Sequence, residues 1–271
     1  MLGYCPPDYI IQMFTFRLLS ILFCIVVLPS CGDDIPVRDS LLESSIGIPR
    51  ENISDHYFKR PNNYPSRRQQ WALLETIHES PSNSEEITLY YTRRQIPKKN
   101  RASSRNQSNN DYWNKEHLWP RSFGLKGSKA NNDLHNIVAT DRSVNSSRGN
   151  KYFYNSFTQH HECEQCRVST QTWEPPDIVK GDIARVAFYM ALTYGDLEKE
   201  DNQLVLGKRK TIDTEKLTFG DLTTLIAWHC DDPVSDFELN RDEVIGAFQG
   251  NHNVFVHQSE LANDIFLFKC D

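Results

Sequence analysis

Glu116 and His117 stand side by side in Asn114-Lys-Glu-His-Leu-Trp-Pro-Arg-Ser-Phe-Gly124, and their adjacency constrains the chain more than any other feature. The stretch reads as a strand ended by Trp119-Pro120, with Gly124 and Gly127 in a turn and a second strand at Ile137-Val138. Residues 141 to 150 then read as a helix crossing behind this hairpin. Successive residues of a strand project to opposite faces. Glu116 and His117 therefore need a bend or bulge to converge, unless Glu116 serves an ion from the edge while His117 addresses a water. The same region gathers His135, Asn136 and Asn145. Imidazole can take a proton from water near neutral pH, and one carboxylate with one amide oxygen suits a hard divalent ion that keeps several waters. These residue types in this order point to metal-assisted hydrolysis of a phosphodiester.

The 271 residues carry a formal net charge of -6, which argues against a passive polycation that coats nucleic acid. Charge is uneven, however: from Arg93 to Lys129, ten Lys or Arg face only Asp111 and Glu116, a local balance of +8. Such a field attracts a polyanion even when the whole chain is acidic. No internal repeat, P-loop, Rossmann glycine pattern or Gly-x-Ser-x-Gly is present.

Arg17 precedes the apolar run Leu18 to Leu28, which has the length of a signal-peptide core rather than of a membrane span, and Met13 offers a second start. Leu28-Pro-Ser-Cys31 resembles a lipobox. Residues 1–30 are thus expected to be a signal peptide, 31–55 a tether and 56–271 one domain, large enough for a core without staples. Export follows, to the periplasm, the medium or a lipid anchor at Cys31. Four cysteines lie beyond the leader and could pair in an oxidising compartment. Cys163 and Cys166 suit a tight disulfide or free thiols, or a metal knuckle with His160 and His161; Cys230 and Cys270 offer a second bridge.

Trp71, Leu74 and Ile77 recur at helical spacing before Pro81, and residues 87–92 read as a strand. Residues 99–112 form a polar loop. A helix opens near Asp177 with Ile183, Val186, Met190 and Tyr194 on one stripe, and on it Arg185 is expected to face phosphate or solvent. Further helices are expected over 217–230 and 237–248, then a loop into an extended piece ending at Val256.

The blocks YYTRRQIP, NKEHLWPRSFG, DLHNI, VNSSRGN, DIVKGDIARVAFYMALTYG and DDPVSDFELNRDEVIGAFQGNHNVFV, in that order, resemble the bacterial endonuclease I family, secreted or periplasmic non-specific nucleases of the ββα-metal (His-Me finger) group. The resemblance runs from about residue 56 to 258, and departs at His252 and Val254, where the family usually carries arginine and proline. It implies an α+β, mainly helical single domain around a ββα-metal core. It also implies a metal-dependent endonuclease that hydrolyses DNA, with RNA as a further substrate, leaving 5'-phosphate ends with little sequence preference. His117 would be the general base, with Glu116 and Asn145 ligating Mg2+, or Mn2+ or Ca2+ in its place; Asn150 is the rival ligand. Arg148 and Arg121 would contact phosphate. Asn136, His135 and Asp133 would support the site, Asn136 or a backbone carbonyl fixing the His117 tautomer. No obligate protein partner is implied. One alternative is a zinc set of His117, His135 and Asp133; another is a non-catalytic envelope protein of the same fold that binds nucleic acid.

If the basic stretch engages phosphates, the affinity of catalytically silenced protein for a fluorescent duplex falls linearly with salt on logarithmic axes. A flat response would remove the stretch from the substrate path.

Overall fold

The computed structural model describes residues 59–102, 111–195, 204–207 and 218–270. The expected signal peptide, Cys31 box and tether lie outside the described residues, as do 103–110 of the basic loop and most of 196–215.

Ser66 opens helix α1 (Arg67–Ile77) with a reciprocal cap: its hydroxyl accepts from Gln69 N, and the Gln69 side chain accepts from Ser66 N. Two amides that the first turn cannot satisfy are paired in this way. Leu74 and Ile77 form the buried face. A three-stranded antiparallel sheet follows, made of β1 (Glu79–Ser80), β2 (Asn83–Thr88) and β3 (Gln95–Pro97). The strand expected at 87–92 is therefore displaced toward the N-terminus. Tyr90 and Tyr91 leave the ladder for a turn, where both are buried, the Tyr91 ring against Trp173. Burial of two aromatic rings outweighs their strand propensity.

β4 (Trp113–His117) pairs antiparallel with β5 (Ile137–Asp141) in unbroken register from Trp113↔Asp141 to His117↔Ile137, and α2 (Arg142–Arg148) follows at once. The second strand is longer than Ile137-Val138 because its polar end is satisfied inside. The buried Asp141 carboxylate meets Arg94 at 2.8 Å and the Thr92 hydroxyl at 2.5 Å.

Beyond α2, six short strands form a mixed sheet: β6 (Tyr152–Phe153), β7 (Thr158–Gln159), β8 (Arg167–Val168), β9 (Thr172–Glu174), β10 (Val205–Gly207) and β11 (Thr218–Asp221), in the order β10-β11-β6-β9-β8-β7. The Cys163–Cys166 disulfide closes the loop between β7 and β8, which takes both thiols away from any metal knuckle.

α3 (Lys180–Tyr194) is the central helix. The expected stripe is buried, and so is almost every other residue of the helix, because α4 (Leu222–Asp231) and a C-terminal group pack around it. That group is α5 (Asp236–Gln249), α6 (Val254–His257) and α7 (Leu261–Ile265). Arg185 faces neither phosphate nor water. Its guanidinium is fully buried, bonded to both oxygens of Glu238 at 2.6–3.0 Å and to Asp182 at 3.2 Å. The expected helix 217–230 divides at Asp221, whose carboxylate caps α4 by accepting from Thr224 N. The extended piece expected before Val256 is instead α6, capped by the Asn253 side chain. Cys230 and Cys270 pair, tying α4 to the C-terminal end.

His78 caps α1 and is fully buried between Tyr90 and Phe237, where Ala139 N donates to its Nε2 at 3.4 Å. Burial, assisted by Arg241 and Arg93, lowers its pKa from 6.5 to about 3. Between those values the unfolded chain binds a proton that the folded chain does not, so stability falls as pH falls through that window, by about 1.4 kcal/mol per pH unit at most for one group. Denaturant titrations at about pH 7 and about pH 5 should show a smaller loss in His78→Gln, whose amide oxygen accepts without titrating. Equal losses in variant and parent would remove His78 from the acid limb.

Candidate active site

The regular ladder settles the adjacency of Glu116 and His117 without a bulge, because the two side chains take opposite faces of β4. Glu116 turns inward. It is 3% exposed, with Arg148 Nη1 3.0 Å from Oε1 and the Tyr91 hydroxyl donating to the same oxygen at 3.3 Å. Burial pushes its carboxyl up to about 7, against the pull of Arg148. His117 turns the other way, into an open cleft of about 280 Å³. Its Nε2 lies 3.0 Å from the carbonyl oxygen of Asn131. A carbonyl only accepts, so Nε2 carries the hydrogen and Nδ1 is left with a lone pair. The tautomer is thus set by a backbone carbonyl and not by Asn136. Burial lowers the imidazole to about 4, with Arg121 and Lys115 adding to the effect, and the ring is neutral at pH 7.

Asn145 and Arg148 are three residues apart and share one face of α2, the face laid along β4. Asn145 Nδ2 donates to Asn114 Oδ1 at 2.7 Å and to the Lys115 carbonyl at 3.1 Å. With its amide hydrogens committed to acceptors, Oδ1 is the atom free to ligate. Asn150 lies past the Gly149 cap and is exposed. Arg148, expected at a phosphate, is buried. It donates to the carbonyls of His117 at 3.1 Å and Leu118 at 2.6 Å, and its guanidinium sits 4.5 Å from the centre of the Phe153 ring. In this structure it is the internal counter-ion of Glu116.

Asn136 clamps the loop end of the hairpin: its Oδ1 accepts from Trp119 N at 2.6 Å and its Nδ2 donates to Trp119 O at 3.1 Å. Asp133 and His135 belong to a different buried network. Asp133 accepts from the hydroxyls of Tyr189 and Tyr194, each at 2.7 Å, while His135 lies 3.4 Å from Asn251 O and 3.5 Å from Asp242 Oδ1. They brace the segment entering β5. Among the described residues His117, His135 and Asp133 are not grouped so as to hold a metal, whereas Asp242, His252 and His257 lie close enough together to do so.

Among the described residues the cleft is lined by Arg67, Lys115, Arg121 and Arg142, and by no carboxylate. Arg121 Nε donates to Asn131 Oδ1 at 2.8 Å, bracing the loop whose carbonyl holds His117. Lys115 lies over the Trp71 ring; burial and the charges of Arg67, Arg121 and Arg101 lower it to about 8. Cations crowded without counter-ions make a surface for a polyanion. Arg67, Gln70, Trp71 and Arg142 escaped the sequence reading because tertiary packing alone brings α1 and α2 to this cleft. One signal was available: Arg67-Arg68 in the first turn of α1 opposes the helix dipole, a placement that helix stability does not explain.

A profile of the family described as Endonuclease I matches residues 51–260. An extracellular ribonuclease of Bacillus amyloliquefaciens is 35% identical over 210 residues, covering 74% of this chain and 68% of that protein. The extracellular ribonuclease of Bacillus subtilis is 35% identical over 200 residues, covering 72% and 67%. An extracellular deoxyribonuclease of Aeromonas hydrophila is 28% identical over 131 residues, covering 46% and 49%.

Asn136→Ala strips both bonds from the buried Trp119 backbone and should cost about 2–4 kcal/mol of stability, the penalty for two buried groups left unpaired. An unchanged melting temperature would show that the clamp does not hold the hairpin.

Proposed function

The chain belongs to the endonuclease I family, and we propose from that premise that it is an exported, divalent-metal-dependent endonuclease cleaving DNA and RNA with little sequence preference. That it is a nuclease, a hydrolase of nucleic-acid phosphodiester bonds, follows from its family. The observation that carries the finer reading is His117, a neutral imidazole pinned through Nε2, with Nδ1 left holding a lone pair, on a residue that lines a cleft of cations. In this reading Nδ1 takes the proton from an attacking water. Burial is the main cause of the depressed imidazole; a bound phosphodiester would offset the smaller contribution of Arg121 and Lys115.

Glu116 and Asn145 are the proposed metal ligands. A carboxylate and an amide oxygen are hard donors that fit Mg2+, and Mn2+ or Ca2+ by the same preference. The orientation of the Asn145 amide supports it over Asn150. When bound, the ion supplies positive charge to the phosphate and the departing 3'-oxygen. Arg148 holds the Glu116 carboxylate through their 3.0 Å ion pair, and Arg121 is the proposed phosphate contact. Lysine and arginine contacts to phosphate position a strand without reading its bases, which is why little sequence preference is expected.

With water as nucleophile the 2'-hydroxyl takes no part in the reaction, so the chemistry does not require ribose. Relatives named ribonuclease and deoxyribonuclease support that breadth. Their description as extracellular, the leader sequence and the two disulfides support export.

Supercoiled plasmid and single-stranded RNA should both be cut with Mg2+ and neither with EDTA, the RNA fragments carrying 5'-phosphate and 3'-hydroxyl ends. Cleavage that survives EDTA, or RNA ending in a 2',3'-cyclic phosphate, would contradict a metal-assisted attack by water.

A further inference from the structure

Asp242 lies on α5 and is 1% exposed, yet two half-exposed imidazoles converge on one of its oxygens. His252 Nδ1 is 2.6 Å from Oδ2 and His257 Nε2 is 2.8 Å from the same atom. The two rings stand nearly perpendicular, 5.1 Å between centres, and the three donor atoms all lie within 4.8 Å of one another. The backbone is shaped to this arrangement. Asn253 N donates to Asp242 Oδ1 at 2.8 Å and so fixes the carboxylate, and Gly246, one turn along α5, leaves room for the His252 ring. A Cβ at Gly246 would come within 2.2 Å of His252 Cε1. His257 is supplied by the end of α6, whose start the Asn253 side chain caps.

We propose that Asp242, His252 and His257 form a Zn2+-class site, separate from the candidate active site and structural in role. Two imidazole nitrogens and one carboxylate oxygen are a donor set that zinc takes readily and that Mg2+, which prefers oxygen, does not. Without an ion, each ring turns an N–H toward Oδ2. In the other neutral tautomer each ring presents a lone pair at the same nitrogen, so an ion can replace the two hydrogens with no change in ring charge. Zinc bonds of about 2.0–2.1 Å require the donors to part slightly, which the two half-exposed rings can do. The three ligands come from α5, the turn after it and α6, so an ion would rivet this junction. The junction carries load for the hairpin: Arg241, beside Asp242, donates to the carbonyls of Leu134 and His135 just before β5. None of these three residues lines the candidate cleft or pairs with Glu116, His117 or Asn145 in the bonds described.

The mature chain, stripped with EDTA and dialysed, is titrated with zinc chloride by calorimetry in buffer containing excess Mg2+. One Zn2+ should bind per chain and raise the melting temperature. His252→Arg, the residue usual in the family, and His257→Gln should each weaken binding by at least about tenfold and abolish the thermal shift. Both side chains are partly exposed, so circular dichroism of the metal-free variants should match the parent; two independent variants guard against misfolding of either. Glu116→Gln should bind Zn2+ as the parent does. Absence of Zn2+ binding would mean that the three residues form only a hydrogen-bonded triad. Binding unaffected by both histidine variants, or lost in Glu116→Gln, would place the ion elsewhere and overturn the proposal.

Discussion

The candidate site depends on the unbroken antiparallel ladder between β4 and β5. Since side chains alternate along a strand, continuous register sends Glu116 beneath the hairpin and His117 above it. A slip of one residue would exchange them, burying an imidazole against Arg148 and exposing the carboxylate in the cation-lined cleft. Register is accordingly pinned from both ends. Asn136 holds the Trp119 backbone at the loop end, and Asp141 is anchored by Arg94 and Thr92 at the open end.

Separation of the two faces lets one strand support two electrostatic environments. Below it, the buried Glu116 carboxyl is balanced by a fully buried arginine that also takes up the carbonyls of His117 and Leu118. Removing one partner of a buried pair strands the other, a loss of roughly 3–5 kcal/mol. Arg148 is thus as much a part of the fold as of the site. Above the strand, Arg67, Lys115, Arg121 and Arg142 lack a carboxylate among the residues lining their cleft. That imbalance is what a polyanionic substrate would relieve.

Much of this was legible in the chain itself. Trp119-Pro120 and the glycines after it mark the hairpin, Asn145 and Arg148 share a helical face by spacing alone, and both disulfides were among the pairings left open. Local pattern failed where a distant partner decided the outcome. Tyr90 and Tyr91 look like strand residues but turn inward to fill the core, and Arg185 looks like a surface cation but is claimed by Glu238, 53 residues away. Arg148 deceived in the same way, because nothing beside it in sequence shows that Glu116 lies under its helix. The cleft was only half visible for a related reason: its α1 wall reaches the hairpin solely through packing.

The central claim is that opposite faces of β4 divide the labour, His117 moving the proton and Glu116 with Asn145 holding the ion. Calorimetric titration of Mn2+ into His117→Ala, Glu116→Ala and Asn145→Ala, paired with plasmid cleavage, tests it directly. His117→Ala should keep the parent's ion affinity while turnover falls by about 10²–10⁴, the usual range for a lost general base. Glu116→Ala should lose both affinity and turnover, and Asn145→Ala should lose them to a smaller degree. A folded His117→Ala that no longer binds Mn2+, or one that cleaves at the parent rate, would contradict the account.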